Sequence, residues 1–186
     1  MDRQRRRWRI GAWAPADEGA SGAGALSPSS LIGSGEIYIA RDGTWYHEGA
    51  PFERLDLVKL FSGILRREAD GTYWLKTPVE AVRVHVEDAP FVGQELDIDD
   101  RGEQRVLRVR TNLGEWLDIG ADHPLRVLSD PDTGEPSPYV HVRRGLDALL
   151  TRAAFYHLAD IAEPWGDGHR HGVHSHGHFF PLEPGG

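Results

Sequence analysis

Residues 36–49 read EIYIARDGTWYHEG, and the conformation of this stretch decides what kind of fold follows. Ile37 and Ile39 alternate with other residues at the period of a strand with one buried face. Asp42-Gly43 sits at the centre, and Asp-Gly between alternating residues is the strongest short hairpin signal, because a type I′ turn needs positive φ at both central positions. The expectation is a β-hairpin closed by a type I′ turn at Asp42-Gly43.

Two later stretches repeat the pattern, RREADGTYWLKTPVE at residues 66–80 and RVRTNLGEWLDIG at residues 108–120. In all three an aromatic residue lies two positions after the glycine: Trp45, Tyr73 and Trp116. A ring so placed shares the glycine's face and can cover the facing strand. The uneven spacing excludes a solenoid or propeller. Diverged duplication of a hairpin-containing unit stays open.

Between the first two turns, ERLDLVKLFSGILRRE (residues 53–68) sets Leu57, Phe61, Ile64 and Leu65 at helical spacing among charges, an amphipathic helix over a sheet. AVRVHVEDAPF (residues 81–91) then alternates Val82, Val84 and Val86 inward, with Arg83, His85 and Glu87 outward, until Pro90 stops the ladder. QELDIDDRGEQRVLRVRT (residues 94–111) reads as a further hairpin turning at Asp100-Arg101-Gly102. Its DIDDRG is not a calcium loop, since Arg101 and Arg108 stand where oxygen ligands are needed. PYVHV (residues 138–142) is a short strand. RGLDALLTRAAFYHLADIA (residues 144–162) shows a broad apolar stripe that predicts a second helix, ended by Pro164 and Gly166. The order of elements predicts an α+β fold of mainly antiparallel sheets with two main helices.

The chain has 186 residues, 39% hydrophobic and 27% charged, the balance of an ordinary globular protein. Nothing approaches eighteen consecutive apolar residues, which excludes a spanning helix. Cysteine is absent, removing disulfides, thiolate zinc sites and cysteine nucleophiles. The start, MDRQRRRWRI, lacks the apolar run of a secretory signal, so a cytoplasmic location is expected. Net charge is −8 although residues 1–9 hold five arginines, so the body repels phosphate backbones. Nucleic-acid binding is expected only through that Arg-rich tip, and no membrane partner is expected. The oligomeric state is not legible. Residues 11–34, rich in Gly, Ala, Ser and Pro, complete an expected disordered leader over residues 1–34.

The stretches IARDGTWYHEGAPFERLDLVKLFSGILRREADGTYWLKTPVE, VRVHVEDAPFVG, RTNLGEWL, PYVHVRRGLDALLTRAAFY and GVHSHGHFFPL occur in this order. Together they resemble a bacterial family designated domain of unknown function 1285, from about Gly35 to Leu182. The resemblance implies two related β-rich units, residues 35–92 and 93–165, the second with a closing helix and a pleckstrin-homology-like barrel. It implies a binding or signalling role and no particular reaction. In the C-terminal segment, residues 166–186, the family-like places are Gly172, Val173, Ser175, Gly177, Phe179, Phe180, Pro181 and Leu182, with Phe179 and Phe180 expected to pack back on the body.

Histidines fill the variable places of that segment, five of the ten falling within residues 169–178. If HSHGH is a strand, His174, His176 and His178 share a face roughly 6 to 7 Å apart, and two such imidazoles can share zinc or nickel. Asp167, His169, His171 or Glu183 would complete the site. A metal-binding protein or metal-dependent enzyme is therefore the alternative reading. No G-x-S-x-G is present, and Glu87-Asp88 beside Pro90 resembles a strand end, so apart from the metal question no catalytic residue is assigned.

The leading expectation is a small-ligand or peptide site between the halves, requiring no cofactor. Its candidates are Arg41, Glu80, Glu87 and Asp88 from the first half, and Arg110, Asn112, Tyr139, His141 and Arg143 from the second. Arginine forks would grip a carboxylate or phosphate, Asn112 an amide, and Tyr139 would form a wall with a polar tip. The competing reading of these residues is a network that locks one half onto the other.

Overall fold

The computed structural model describes residues 27–100, 105–166 and 170–184. A short helix α1 (Pro28–Ile32) leads into strands β1 (Ile37–Ile39), β2 (Trp45–His47) and β3 (Ala50–Pro51). Helix α2 (Leu55–Ile64) follows, then β4 (Leu65–Arg67), β5 (Tyr73–Lys76) and β6 (Ala81–Val86). The second half runs β7 (Phe91–Asp99), β8 (Val106–Thr111), β9 (Trp116–Asp118), β10 (Leu125–Ser129), β11 (Pro136–Arg143), β12 (Leu146–Leu150) and helix α3 (Arg152–Asp160). Strands β13 (Glu163–Trp165), β14 (Arg170–Ser175) and β15 (His178–Pro181) form a small third sheet.

The two large sheets have one topology. The first is ordered β3-β2-β1-β6-β5-β4 and the second β9-β8-β7-β12-β11-β10. In each, two three-stranded meanders meet where the first strand pairs in parallel with the sixth, Ile37 beside Val84 and Phe91 beside Ala148. The α+β fold in two related halves is thus present, and one continuous core joins them, from Ile37, Trp45 and Phe61 to Leu107, Leu146 and Leu158.

The turns differ from expectation in an instructive way. Gly43 N donates to Ala40 O and Ala40 N to Thr44 O, with positive φ at Gly43 and not at Asp42. This is a type I turn followed by a left-handed glycine, not type I′. The turns ending in Gly71 and Gly114 have the same bonding. Asp42 and Asp70 explain the preference, since each carboxylate accepts the backbone N–H two residues on. The type I′ geometry falls instead on Glu48-Gly49, Arg144-Gly145 and His176-Gly177, two-residue loops with positive φ at both positions.

The second helix is shorter than its apolar stripe. Leu146–Leu150 is strand β12, buried on both faces between β11 and β7, and α3 begins only after Thr151, whose Oγ1 accepts Ala154 N. A buried apolar run carries no period that separates helix from strand, and here the Arg144-Gly145 turn starts a strand. The expected leader also contains structure at its end. Pro28–Ile32 is helical and docks on Glu80, whereas residues 1–26 lie outside the described residues.

Laid flat, six strands would put β9 and β10 about 24 Å apart, five spacings of about 4.8 Å. Residues 119–124 join them, and fully extended they span only about that distance. They are not extended, because Gly120 N donates to His123 O. The second sheet must therefore curl. The third sheet packs against the curled sheet through Val173, Ser175 and Phe180. Ser175 Oγ accepts from Leu107 N at 3.0 Å and donates to Ile119 O at 2.6 Å, continuing the ladder where β8 and β9 part. Phe180 is the buried anchor; Phe179 faces outward, stacked on Trp165 at 4.6 Å. No described helix is long and apolar enough to cross a membrane.

Candidate functional site

Strand alternation builds one face of the second sheet toward the first half. Tyr139 and His141 lie on one side of β11, opposite Leu149 and Asp147 of β12, and Leu149 is beside Val92 of β7. One end of this face is apolar and the other charged. At the charged end buried Asp147 binds Arg126 at 2.7 Å and His141 Nδ1 at 3.2 Å. Arg126 also lies 5.8 Å from the Tyr139 ring centre.

Between the two ends the halves are tied together. Tyr139 donates to Asp88 at 2.8 Å, and Arg41 Nε lies 3.4 Å from the same carboxylate. Burial, then the bond to Asp88, pushes the Tyr139 phenol up to about 12. Asn112 accepts Val92 N at 3.0 Å and donates to Gly43 O at 3.2 Å, reaching across to the first hairpin turn. A Cβ on Gly43 would sit 2.5 Å from Asn112 Nδ2, so glycine is required there for close approach as well as for positive φ. Arg143 reaches Glu115 at 2.9 Å and Ser62 O of α2 at 3.2 Å, over the Phe91 ring.

Other candidates are placed elsewhere. Glu80 receives the Ser27 and Ser29 hydroxyls and Ser29 N, and although burial acts to raise its pKa, these donors hold it below the ordinary carboxylate range. Glu87 accepts Tyr38 Oη at 2.6 Å and Arg41 N at 2.9 Å. Arg110 pairs with Glu95 on the exposed surface. The histidines do not share a strand face, because the His176-Gly177 turn separates His174 on β14 from His178 on β15. His174 packs beside Trp165 and Phe179, and His176 Nε2 is 3.7 Å from Asp118. Among the described residues no three metal-ligating side chains converge; Asp167 and His169 lie outside them.

At the apolar end of the face opens a cavity of about 680 Å³. Val92, Leu149, Leu150 and Phe155 supply its apolar lining, and Arg41 and Asp42 of the first hairpin turn border it. Across from them stand Asp130, Glu135 and Ser137 of the β10–β11 connection and strand. Gln94 projects here because of a β-bulge: Gly93 faces Thr111 and Glu95 faces Arg110, leaving Gln94 as the extra residue. Its amide has no hydrogen-bond partner among the described residues. A bulge has no sequence signal beyond its neighbour Gly93, whose Cβ would meet Leu150 at 2.4 Å. Of the sequence candidates only Arg41 borders this cavity.

The chain matches two adjoining family models, the DUF1285 N-terminal domain at residues 27–89 and the DUF1285 C-terminal domain at residues 90–182. The boundary falls beside Asp88, where the halves are tied. The C-terminal domain includes the third sheet. Among solved structures, a DUF1285 family protein from Silicibacter pomeroyi DSS-3 is 44% identical, covering 85% of this chain and 87% of its own, with a TM-score of 0.74. Another from Shewanella baltica OS155 is 31% identical, covering 68% of this chain and 91% of its own, with a TM-score of 0.52. No functionally curated protein matches. Matches on both sides of the Asp88 junction, in the order of the two halves, place the chain in the DUF1285 family.

Proposed function

We propose that the protein is a non-catalytic binding protein whose site is the cavity between the first hairpin turn and the second sheet. It takes a small ligand or a short peptide and serves a signalling or regulatory role in the cytoplasm. The observation that carries this reading is the cavity itself. Its volume of about 680 Å³ falls within the roughly 300–1,000 Å³ typical of ligand sites. It combines an apolar floor with the exposed Gln94 amide that a bulge places at its edge, a pairing of contact area with an orienting group.

The curled sheet with its following helix supports a pleckstrin-homology-like comparison for the second half, a fold-level analogy that adds the signalling role. The seam candidates Asp88, Asn112, Tyr139 and Arg143 support the site by fixing one half against the other. The zinc or nickel reading would need ligands from outside the described residues.

A fragment screen by thermal shift tests the proposal, run on the full chain and on Gln94→Trp, which fills the cavity from an exposed position. Hits should stabilise the native chain and lose their effect in the variant. Hits acting equally on both, or no hits, would place binding elsewhere.

A further inference from the structure

The cavity's charges restrict what it accepts. Both arginines on its rim are engaged: Arg152 pairs with Glu135 at 3.1 Å, and Arg41 with Asp88. Two carboxylates are left over, Asp42 on the first-half turn and Asp130 on the facing β10–β11 turn; neither forms an ion pair among the described residues, although the Arg41 charge acts on Asp130. Each is fixed in place by its turn. Asp42 accepts Thr44 N, while Asp130 accepts Asp132 N and Thr133 N, donors that keep Asp130 below the ordinary carboxylate range. The open Gln94 amide adds an acceptor beside the apolar floor.

We propose that the cavity binds an organic cation, an ammonium or guanidinium group carried on an apolar body. The proposal rests on the reading of the cavity as a ligand site and reverses the expectation that Arg41 grips an anion. The cavity supplies the contact area, through Val92, Leu149 and Phe155, and the carboxylates set the sign of the charge. An anion would meet a rim on which three carboxylates, Asp42, Asp130 and Glu135, outnumber the two guanidiniums of Arg41 and Arg152. A neutral ligand would fill the floor and leave the rim charges unused. The net charge of −8 adds long-range attraction for cations.

The test is an NMR titration of the ¹⁵N-labelled full chain with three probes of nearly equal shape: benzylamine, benzyl alcohol and benzoate. Benzylamine should shift the amides of Val92, Gln94, Leu149 and Thr151 and bind about fivefold more tightly than benzyl alcohol, the scale of one partly screened charge pair. Benzoate should bind most weakly. In D42N/D130N, where asparagine keeps both turns, benzylamine should fall to the level of the alcohol, whose own binding should not change. Equal or tighter binding of the alcohol or benzoate at those amides would overturn the cation assignment and leave the cavity as a site. Absence of shifts with all three probes would overturn both.

Discussion

The first and second sheets share a strand order, yet the same turn does different work in each. The β1–β2 and β8–β9 connections have the same bonding, and each places a tryptophan two residues after its glycine. Trp45 is 2% exposed and meets Phe52, whose ring in turn meets Phe61 of α2. Trp116 is 48% exposed on β9, an edge strand. The first sheet also keeps unbroken register, whereas the second is interrupted at Gln94 and again between His141 and Arg143. The first half thus buries its turn-flanking ring in regular strands, while the second, which supplies most of the shared core, also carries the irregularities that aim side chains.

The comparison breaks most easily at Trp45. Trp45→Ala should cost about 3–5 kcal/mol in chemical denaturation, as for other fully buried aromatic truncations; a loss below about 1 kcal/mol would mean that the Trp45 ring does not hold the first sheet to α2. Next comes the tie between the halves. Asn112→Ala strands Val92 N and Gly43 O, and should cost about 1–3 kcal/mol, with faster hydrogen exchange at Val92; unchanged exchange there would show that the seam does not depend on it.

Glu80 gives a smaller, pH-dependent effect. Its folded pKa lies below the ordinary value of 4.5, so its contribution is complete above that pH and is lost as pH falls through the folded pKa. At pH 7, Glu80→Gln should lower stability by less than about 1 kcal/mol because the site is solvent-screened. Melting curves of the two proteins should converge on acidification; a gap that widens would reverse the sign. Smallest of all, Trp116→Ala should stay within about 0.5 kcal/mol of the parent, and a loss like that of Trp45 would erase the contrast between the sheets.

The hairpins and α2 were legible in the sequence because local pattern decides them, whereas the division into halves came from the family resemblance. Ile37 and Ile39 alternate, and glycine marks each turn. Turn type was misread because aspartate's side-chain bond to the backbone two residues on favours a type I turn, while Glu48, Arg144 and His176 took positive φ without any compositional cue. Leu146–Leu150 was misread because neighbours on both sides, not period, make it a strand. The seam residues Arg41, Asp88, Asn112, Tyr139 and Arg143 were found as polar residues inside the family-like motifs. Gln94 and Asp130 were not, since a bulge and a facing turn exist only once strands have paired.

The placement of Ser175 between Leu107 N and Ile119 O bears on self-association. Strand ends with open N–H and C=O groups are templates on which a second chain can pair. The hairpin carrying the histidines occupies the place where the curled second sheet would otherwise offer such a template. The hairpin itself then separates that ladder from any neighbouring copy. A chain ending after Trp165 would expose it, and would be expected to aggregate before it lost any binding function.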